Sequence, residues 1–328
     1  MAVKIVTDSG SDIPKEVAEE LGITIVPLYV RFGDVSYRDG VDIQPDKFFE
    51  MLKQDSVFPT TSTASPGDFA EVYKKLCPGS DGIISIHLSS KVSATFEAAL
   101  RGRQLVQDMK CPIEVVDSRL VTIALGLLGM AAARAAQAGK DMHEVREQIN
   151  QLIPAIQAYG VLDTLKYIAK GGRLGPAVSK LGSVLPVKPI LNIKDGVIAP
   201  VGLARTRAKG IESLLDRIRS VRNVEEVGIS HSTSEDELGS FIEKLKAILP
   251  NIKPPTISKL GPALGAHGGP GAILVAMRQE LGKTDADLGA GKKQMSLPSM
   301  QSIRDGIMQH LPKDTGHPFI YQSQAAQV

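Results

Sequence analysis

Four short stretches of this chain gather side chains that can do chemistry. Pro59-Thr60-Thr61-Ser62-Thr63-Ala64-Ser65-Pro66 crowds five hydroxyls just ahead of a helix start. Ser89-Ser90-Lys91-Val92-Ser93-Ala94-Thr95 joins a strand-like run to the next helix. Lys170-Gly171-Gly172-Arg173 places a guanidinium after a glycine pair, and Gly265-Ala266-His267-Gly268-Gly269-Pro270-Gly271 sets an imidazole among four glycines. The first two loops feed helix N-termini, whose free N–H groups and dipole favour an anion. Hydroxyls add neutral donors, which suit a carboxylate that must be held without being neutralised. The plainer reading of these hydroxyls is helix capping, and Ser65 before Pro66 reads as that. Arg173 can pair with an anion bidentately, and His267 can donate to an oxyanion or shuttle a proton. Taken singly, each is equally a surface residue at a turn. His87 and His231 follow strand runs and read as structural.

The elements that must position these loops alternate between strands and helices. Apolar runs at 3–7, 82–88 and 113–117 read as strands, as does the β-branched stretch 23–32. Helices are expected after Asp12-Ile13-Pro14, with Asp12 the N-cap and Pro14 in the first turn, over 45–54, from Ser65-Pro66 to Leu76, from about Ala94, and over roughly 120–138 and 141–155. Repeated strand–helix units imply a mostly parallel sheet covered on both faces. In such sheets ligands sit beyond the carboxyl ends of the strands, which is where the 89–95 loop lies.

A second region starts near Tyr159. Asp195-Gly196 between two apolar runs signals a hairpin. Helices at about 206–221 and 234–248 flank a strand at 226–230, and a glycine-rich turn leads into a last strand at 271–277. The fold class expected is α/β, in two domains, each with a mostly parallel or mixed sheet flanked by helices. The boundaries are 1–157 and 158–280, with 281–328 an appended tail in which MSLPSMQSIRDGIMQHL can form one amphipathic helix.

Composition narrows the function. With 328 residues, two domains are the natural expectation. A formal net charge of +2 gives no pull toward nucleic acid, and the absence of Trp removes the best stacking platform for bases. Cys77 and Cys111 are too few for a disulfide framework or a structural zinc site, so no metal is expected and a reducing cytoplasm fits. The N-terminus lacks a signal-peptide layout. The longest apolar run, 120–136, is broken by Arg134 and reads as a buried helix, not a membrane span.

Several of these motifs resemble those of the DegV family, fatty-acid-binding proteins that serve as lipid-carrying subunits of bacterial fatty acid kinases. Thr61-Ser62 with Ser65-Pro66 and Phe69 is similar to the family's T-S-Q-P-S-P-x-x-F loop, Thr63 and Ala64 replacing Gln-Pro. Ser89-Ser90-x-x-Ser93 is similar to its S-S-x-x-S-G-T loop, with Ala94 replacing Gly. Asp117-Ser118, Gly171-Gly172-Arg173 and His267-x-Gly269-Pro270-Gly271 match its other signatures, and Thr7-Asp8-Ser9 opens the match, which runs to about residue 277. The resemblance implies a carrier of a long-chain fatty acid. The 1–157 domain would hold the acyl chain, and the 158–280 domain would close over the head group. Thr61 and Ser93 would hydrogen-bond the carboxylate, with Ser62 close by. Arg173 and His267 would lie beside the head group, where a partner fatty acid kinase forms the acyl phosphate. Arg205 would contact that kinase. Neither a catalytic residue nor a cofactor is implied. The alanines at 64 and 94 bear on the loop backbones, because an alanine does not readily take a positive φ.

The small residues of 120–136 offer one wall for an acyl chain, with ordinary core packing the plainer reading. Two other functions fit the residues. One is a hydrolase or transferase acting on an acyl substrate, with Ser93 as nucleophile and His267 as base, for which Asp8 or Asp117 would have to orient the histidine. The chain has no G-x-S-x-G elbow around Ser93 and no P-loop for an intrinsic kinase. The other is a lipid-responsive regulatory module.

Overall fold

A computed structural model describes residues 2–54, 57–174 and 187–282. The first half runs β1 (Ala2–Asp8), α1 (Lys15–Leu21), β2 (Ile23–Val26), β3 (Tyr29–Phe32), β4 (Val35–Arg38), α2 (Pro45–Gln54), β5 (Thr60–Ser62) and α3 (Pro66–Leu76). It continues with β6 (Ser80–His87), α4 (Thr95–Gln104), β7 (Ile113–Asp117), α5 (Thr122–Gln137) and α6 (Met142–Ala155). The second half follows with β8 (Ile156–Val161), α7 (Lys166–Lys170), β9 (Lys188–Lys194), β10 (Val197–Ala204) and α8 (Arg207–Ser220). It ends with β11 (Val224–His231), α9 (Glu235–Ile248), β12 (Thr256–Lys259), α10 (Pro262–Gly268) and β13 (Ile273–Gln279).

The first sheet, ordered β2-β1-β6-β7, is parallel throughout. Its strands read as near-continuous apolar runs because both faces are covered. Val6, Ile83 and Ile113 face α3 and α4, while Ile5, Ile84 and Val116 face α5 and α6. The second sheet, ordered β10-β9-β8-β13-β11-β12, is antiparallel except for the β11–β12 pair. Its alternation is clean along β13. Ile273, Val275 and Met277 pack on α8 and α9, and Leu274 and Ala276 point the other way, toward the first half. The fold is thus α/β with two main sheets, and β4-β3-β5 form a small third one.

Helix α5 lies between the two main sheets, which explains why it is apolar around its whole circumference. Its small residues let backbones approach: a Cβ on Gly126 would stand 2.6 Å from the Ser11 carbonyl oxygen. Among the described residues no helix is long and apolar enough to cross a membrane.

Four expectations are revised. The strand at 23–32 is two strands in two sheets, because Pro27 has no N–H to continue the ladder with β1. Asp12 does not cap α1. It ends a 3-10 turn in the left-handed region, φ 49°, and sends its carboxylate elsewhere. The glycine-rich turn contains a helix, α10, opened by Gly261-Pro262, and it follows a short strand, β12. Cys77 at the end of α3 and Cys111 ahead of β7 pair as a disulfide, with Cα atoms 5.6 Å apart. The amphipathic helix expected in the 281–328 tail lies outside the described residues.

Local signals hold elsewhere. Ser65 and Asp68 form a reciprocal capping box at α3. Asp195 and Gly196 take φ of 51° and 81°, the two left-handed positions of a tight hairpin turn. The chain passes from the first main sheet to the second where α6 meets β8, at Ala155 and Ile156.

Candidate functional site

A cavity of about 360 Å³ lies against the inward face of the second sheet. Its floor is Gly160 and Leu162 at the end of β8, Leu191 and Ile193 of β9, Ile198 of β10 and Leu274 of β13. Gly160 sits opposite Leu274 on one side and Leu191 on the other, so a gap in side-chain bulk separates two leucines. Leu28, Leu88, Val92 and Val121 close it from the first half, and Leu260, Ala263 and Leu264 from the approach to α10 and its first turn. The aliphatic lining is therefore not confined to residues 1–157. Of the 120–136 stretch only Val121 and Thr122 reach the cavity, and the rest of α5 is core apart from exposed Arg134 and Gln137.

The polar residues of the cavity are tied in separate short hydrogen-bonded sets. Thr61 Oγ1 and His267 Nε2 are 2.9 Å apart. The Thr63 hydroxyl donates to Thr95 Oγ1 at 3.0 Å, and Thr95 lies 2.7 Å from Ser93 Oγ. Arg173 Nε donates to the Val92 carbonyl at 3.4 Å, and its Nη1 donates to the Gly171 carbonyl. Thr61, Ser62, Ser93, Arg173 and His267 all line the cavity, with Ser62 on the exposed face of β5. Arg205 lies away from it, exposed at the end of β10.

The 89–95 loop is braced from three sides. Ser90 Oγ donates to Asp117 Oδ2 at 2.6 Å, Ser89 Oγ donates to the Gly196 carbonyl at 2.8 Å, and Ser93 N donates to the Ser89 carbonyl at 3.1 Å. Ala94 has φ −82°, so the loop makes no left-handed demand there and tolerates alanine in place of glycine. The two glycine motifs interlock. A Cβ on Gly171 would stand 2.1 Å from His267 Nδ1, and one on Gly269, at φ 70°, 2.1 Å from the Tyr167 ring. The imidazole lies against backbone that only glycine leaves open.

Burial, and then the Arg173 guanidinium, hold the His267 pKa down to about 4. The ring is neutral at neutral pH. Its Nδ1 is buried without a partner among the described residues, although buried polar atoms are nearly always paired. Among the described residues no carboxylate orients it. Asp8 bonds His87 Nδ1 at 2.9 Å, and Asp117 is taken by Ser90.

Two residues escaped the sequence reading. Thr95 links the two hydroxyl loops from a fully buried position. Thr122 lines the cavity with φ 53°, a conformation that strains a β-branched residue. Sequence carries no signal for the second, whereas the spacing of Thr95 from Ser93 is a signal for the first.

A hydroxyl cluster with one guanidinium beside it, opening on an aliphatic chamber, fits an acid with an apolar tail. Comparisons with known proteins agree. The model of the DegV family, described as uncharacterised proteins, matches residues 2–280. The chain belongs to the DegV family. A DegV domain-containing protein of Caldanaerobacter subterraneus is 37% identical over 281 residues, covering 85% of this chain and 99% of that one. Protein DegV of Bacillus subtilis is 33% identical over 277 residues, covering 83% and 98%. Among solved structures, the fatty acid binding protein DegV of B. subtilis superposes with a TM-score of 0.77 at 32% identity, covering 85% of this chain and all of that one. A stearic-acid-binding protein of Eubacterium ventriosum gives 0.78 at 27% identity, covering 84% and 98%.

Proposed function

We propose that this DegV-family protein binds one long-chain fatty acid and presents its carboxylate to a partner kinase for acyl-phosphate formation. The observation that carries the reading is the cavity itself, with linked hydroxyls on one side and aliphatic walls on the others. Thr61 and Ser93 hold the carboxylate, Ser62 stands at the mouth, and Arg173 and His267 neighbour the head group. Exposed Arg205 contacts the kinase. Residues 1–157 and 158–280 act as two domains with the ligand between them. A chain of about 15 methylenes gains on the order of 12 kcal/mol from burial at ~0.8 kcal/mol each, less the cost of association. The tail supplies affinity, and the polar cluster supplies orientation.

Catalysis belongs to the kinase in this reading. A hydrolase acting through Ser93 and His267 needs a group to orient the imidazole, and the described neighbours of His267 supply none. The protein works in the cytoplasm, where reduction would open the Cys77–Cys111 bridge. Extraction of the purified protein followed by mass spectrometry tests the core of this proposal. Fatty acid at one equivalent is expected. A protein that carries none, takes up none and hydrolyses acyl esters would overturn it.

A further inference from the structure

Two carboxylates outside the cavity converge on the start of α10. Asp12 Oδ1 accepts from Gly261 N at 2.9 Å, and its Oδ2 accepts from the Ser230 hydroxyl at 2.8 Å. Asp39 Oδ2 accepts from Ala263 N at 3.2 Å and from the Ser9 hydroxyl at 2.9 Å. Both residues are nearly sealed, at 7% and 4% exposed. A Cβ on Gly261 would stand 3.1 Å from Asp12 Oδ1 and 3.3 Å from both Asp39 oxygens, so the two acids meet at one backbone turn.

That turn begins the helix that carries His267. A helix of seven residues has too few internal bonds to persist alone. Its position depends on what grips its ends. At the far end His267 meets Thr61. At the near end the grip is these two side chains, from the 3-10 turn after β1 and from the residue after β4. Between the grips, Ala263 and Leu264 line the cavity. We infer that Asp12 and Asp39 are positioning residues that hold α10, and through it His267, over the ligand cavity.

The groups around them make this grip sensitive to protons. Asp8 adds like charge to both and is itself paired with His87. Lys259, two residues before Gly261, is held by Asp46, and Arg38 by Asp42. Ser9, Ser230 and the α10 amides are neutral. Burial pushes Asp12 up to about 8 and Asp39 up to about 7. Ionising both leaves two charges buried at one turn beside Asp8; the cost of burial exceeds what the amide and serine hydrogen bonds return, so the ionised acids draw toward water and loosen the helix. His267, at about 4, stays neutral across the same range.

The consequence for affinity rests on the fatty-acid reading, so the test has two arms. In the first, delipidated wild type and the Asp12→Asn/Asp39→Asn variant are titrated with parinaric acid by fluorescence from pH 6 to pH 9. The wild-type dissociation constant should rise about tenfold, the equivalent of one pKa unit. Each asparagine keeps one oxygen for the α10 amide, and at position 12 its NH2 can donate to the Ser230 hydroxyl in exchange; neither can ionise, so the variant should stay flat. In the second arm, hydrogen exchange of the Gly265 and Gly269 amides in ligand-free protein, corrected for intrinsic rates, should lose protection toward pH 9 in wild type only. If the double variant does not fold, Asp39→Asn alone should remove part of both responses. Parallel exchange profiles in wild type and variant would overturn the inference. Divergent exchange with no parinaric acid bound by either protein would sink the fatty-acid reading and leave the inference standing.

Discussion

Two histidines in this molecule sit beside hydroxyls, and the difference between them separates scaffold from site. His87 is fully buried. Its Nδ1 meets Asp8 at 2.9 Å, its Nε2 meets Ser85 Oγ at 2.6 Å, and the Tyr73 hydroxyl donates to Ser85 at 2.9 Å. Leu88 N and Gly10 N donate to the same Asp8 carboxylate, and Phe69 packs edge-on against the ring. Every donor there has an acceptor. His267 spends one nitrogen on Thr61 and leaves the other buried and unpaired. Asp8, His87 and Ser85 have the composition of a catalytic relay, yet the serine is sealed. Composition does not make a site. A polar side chain that lines a cavity does.

The comparison is broken most forcefully by removing a carboxylate from the closed network. Asp8→Ala leaves His87 and two backbone amides without their acceptor, and should cost about 3–5 kcal/mol. For a chain of this size that lowers the melting temperature by roughly 10 °C, read by thermal denaturation. His267→Ala should move it far less. Equal losses in the two variants would mean that both histidines are scaffold.

The open site should respond in binding. Ser93→Ala removes one hydrogen bond to a charged group and should weaken fatty-acid affinity by about 1.5–3 kcal/mol, with the fold intact. Ser85→Ala, in the closed network, should leave the dissociation constant of the folded protein unchanged. An unaltered constant for Ser93→Ala would remove that residue from the site.

The closed network and the open site differ also in how far each can be read from sequence. Elements governed by local chemistry were legible: the apolar runs of β1, β6 and β7, the Ser65-Pro66 helix start and the Asp195-Gly196 turn. Strand β12 was not, because four residues after two prolines carry too short a pattern. Gly265, Gly268 and Gly269, packed closely on Phe48, Leu260 and Tyr167, disguise α10 as a loop. Resemblance singles out Thr61, Ser93, Arg173 and His267, and all four line one cavity. Asp12 was misread as a cap because its partners, Ser230 and Gly261, lie 218 and 249 residues away. No local rule reaches that far.

Acid sharpens the contrast further. The His267 pKa falls to about 4 in the folded chain, by burial first and Arg173 second, against an ordinary value near 6.5. The folded protein therefore binds fewer protons than the unfolded chain between those values. The contribution is whole above pH 6.5 and drains as pH falls toward 4. At pH 5 the loss amounts to about 2 kcal/mol. His267→Gln should show a shallower loss of stability from pH 7 to pH 5 by urea denaturation. Superimposable slopes would mean that the imidazole is solvated.

The smallest effect concerns the aliphatic side of the cavity. Gly160 lies between Leu274 and Leu191 on the floor, and a Cβ there would stand 2.4 Å from Leu274 Cδ2. Leu274 leans across the glycine. The atom in conflict is the tip of a flexible side chain, so Gly160→Ala should displace it and not the strand. Backbone surrounds the glycine on the sheet side, with the Ile273 carbonyl 3.2 Å from the same point, so the displaced tip has the cavity to move into. Space for about one or two methylenes would be lost, worth ~0.8 kcal/mol each. Affinity for the longest acids should fall several-fold while shorter ones are unaffected, and adding Leu274→Ala should restore them. The measurement is a series of dissociation constants across chain lengths. A uniform shift at every length would place Gly160 in the scaffold with His87, and a length-dependent one would place it with His267 at the site.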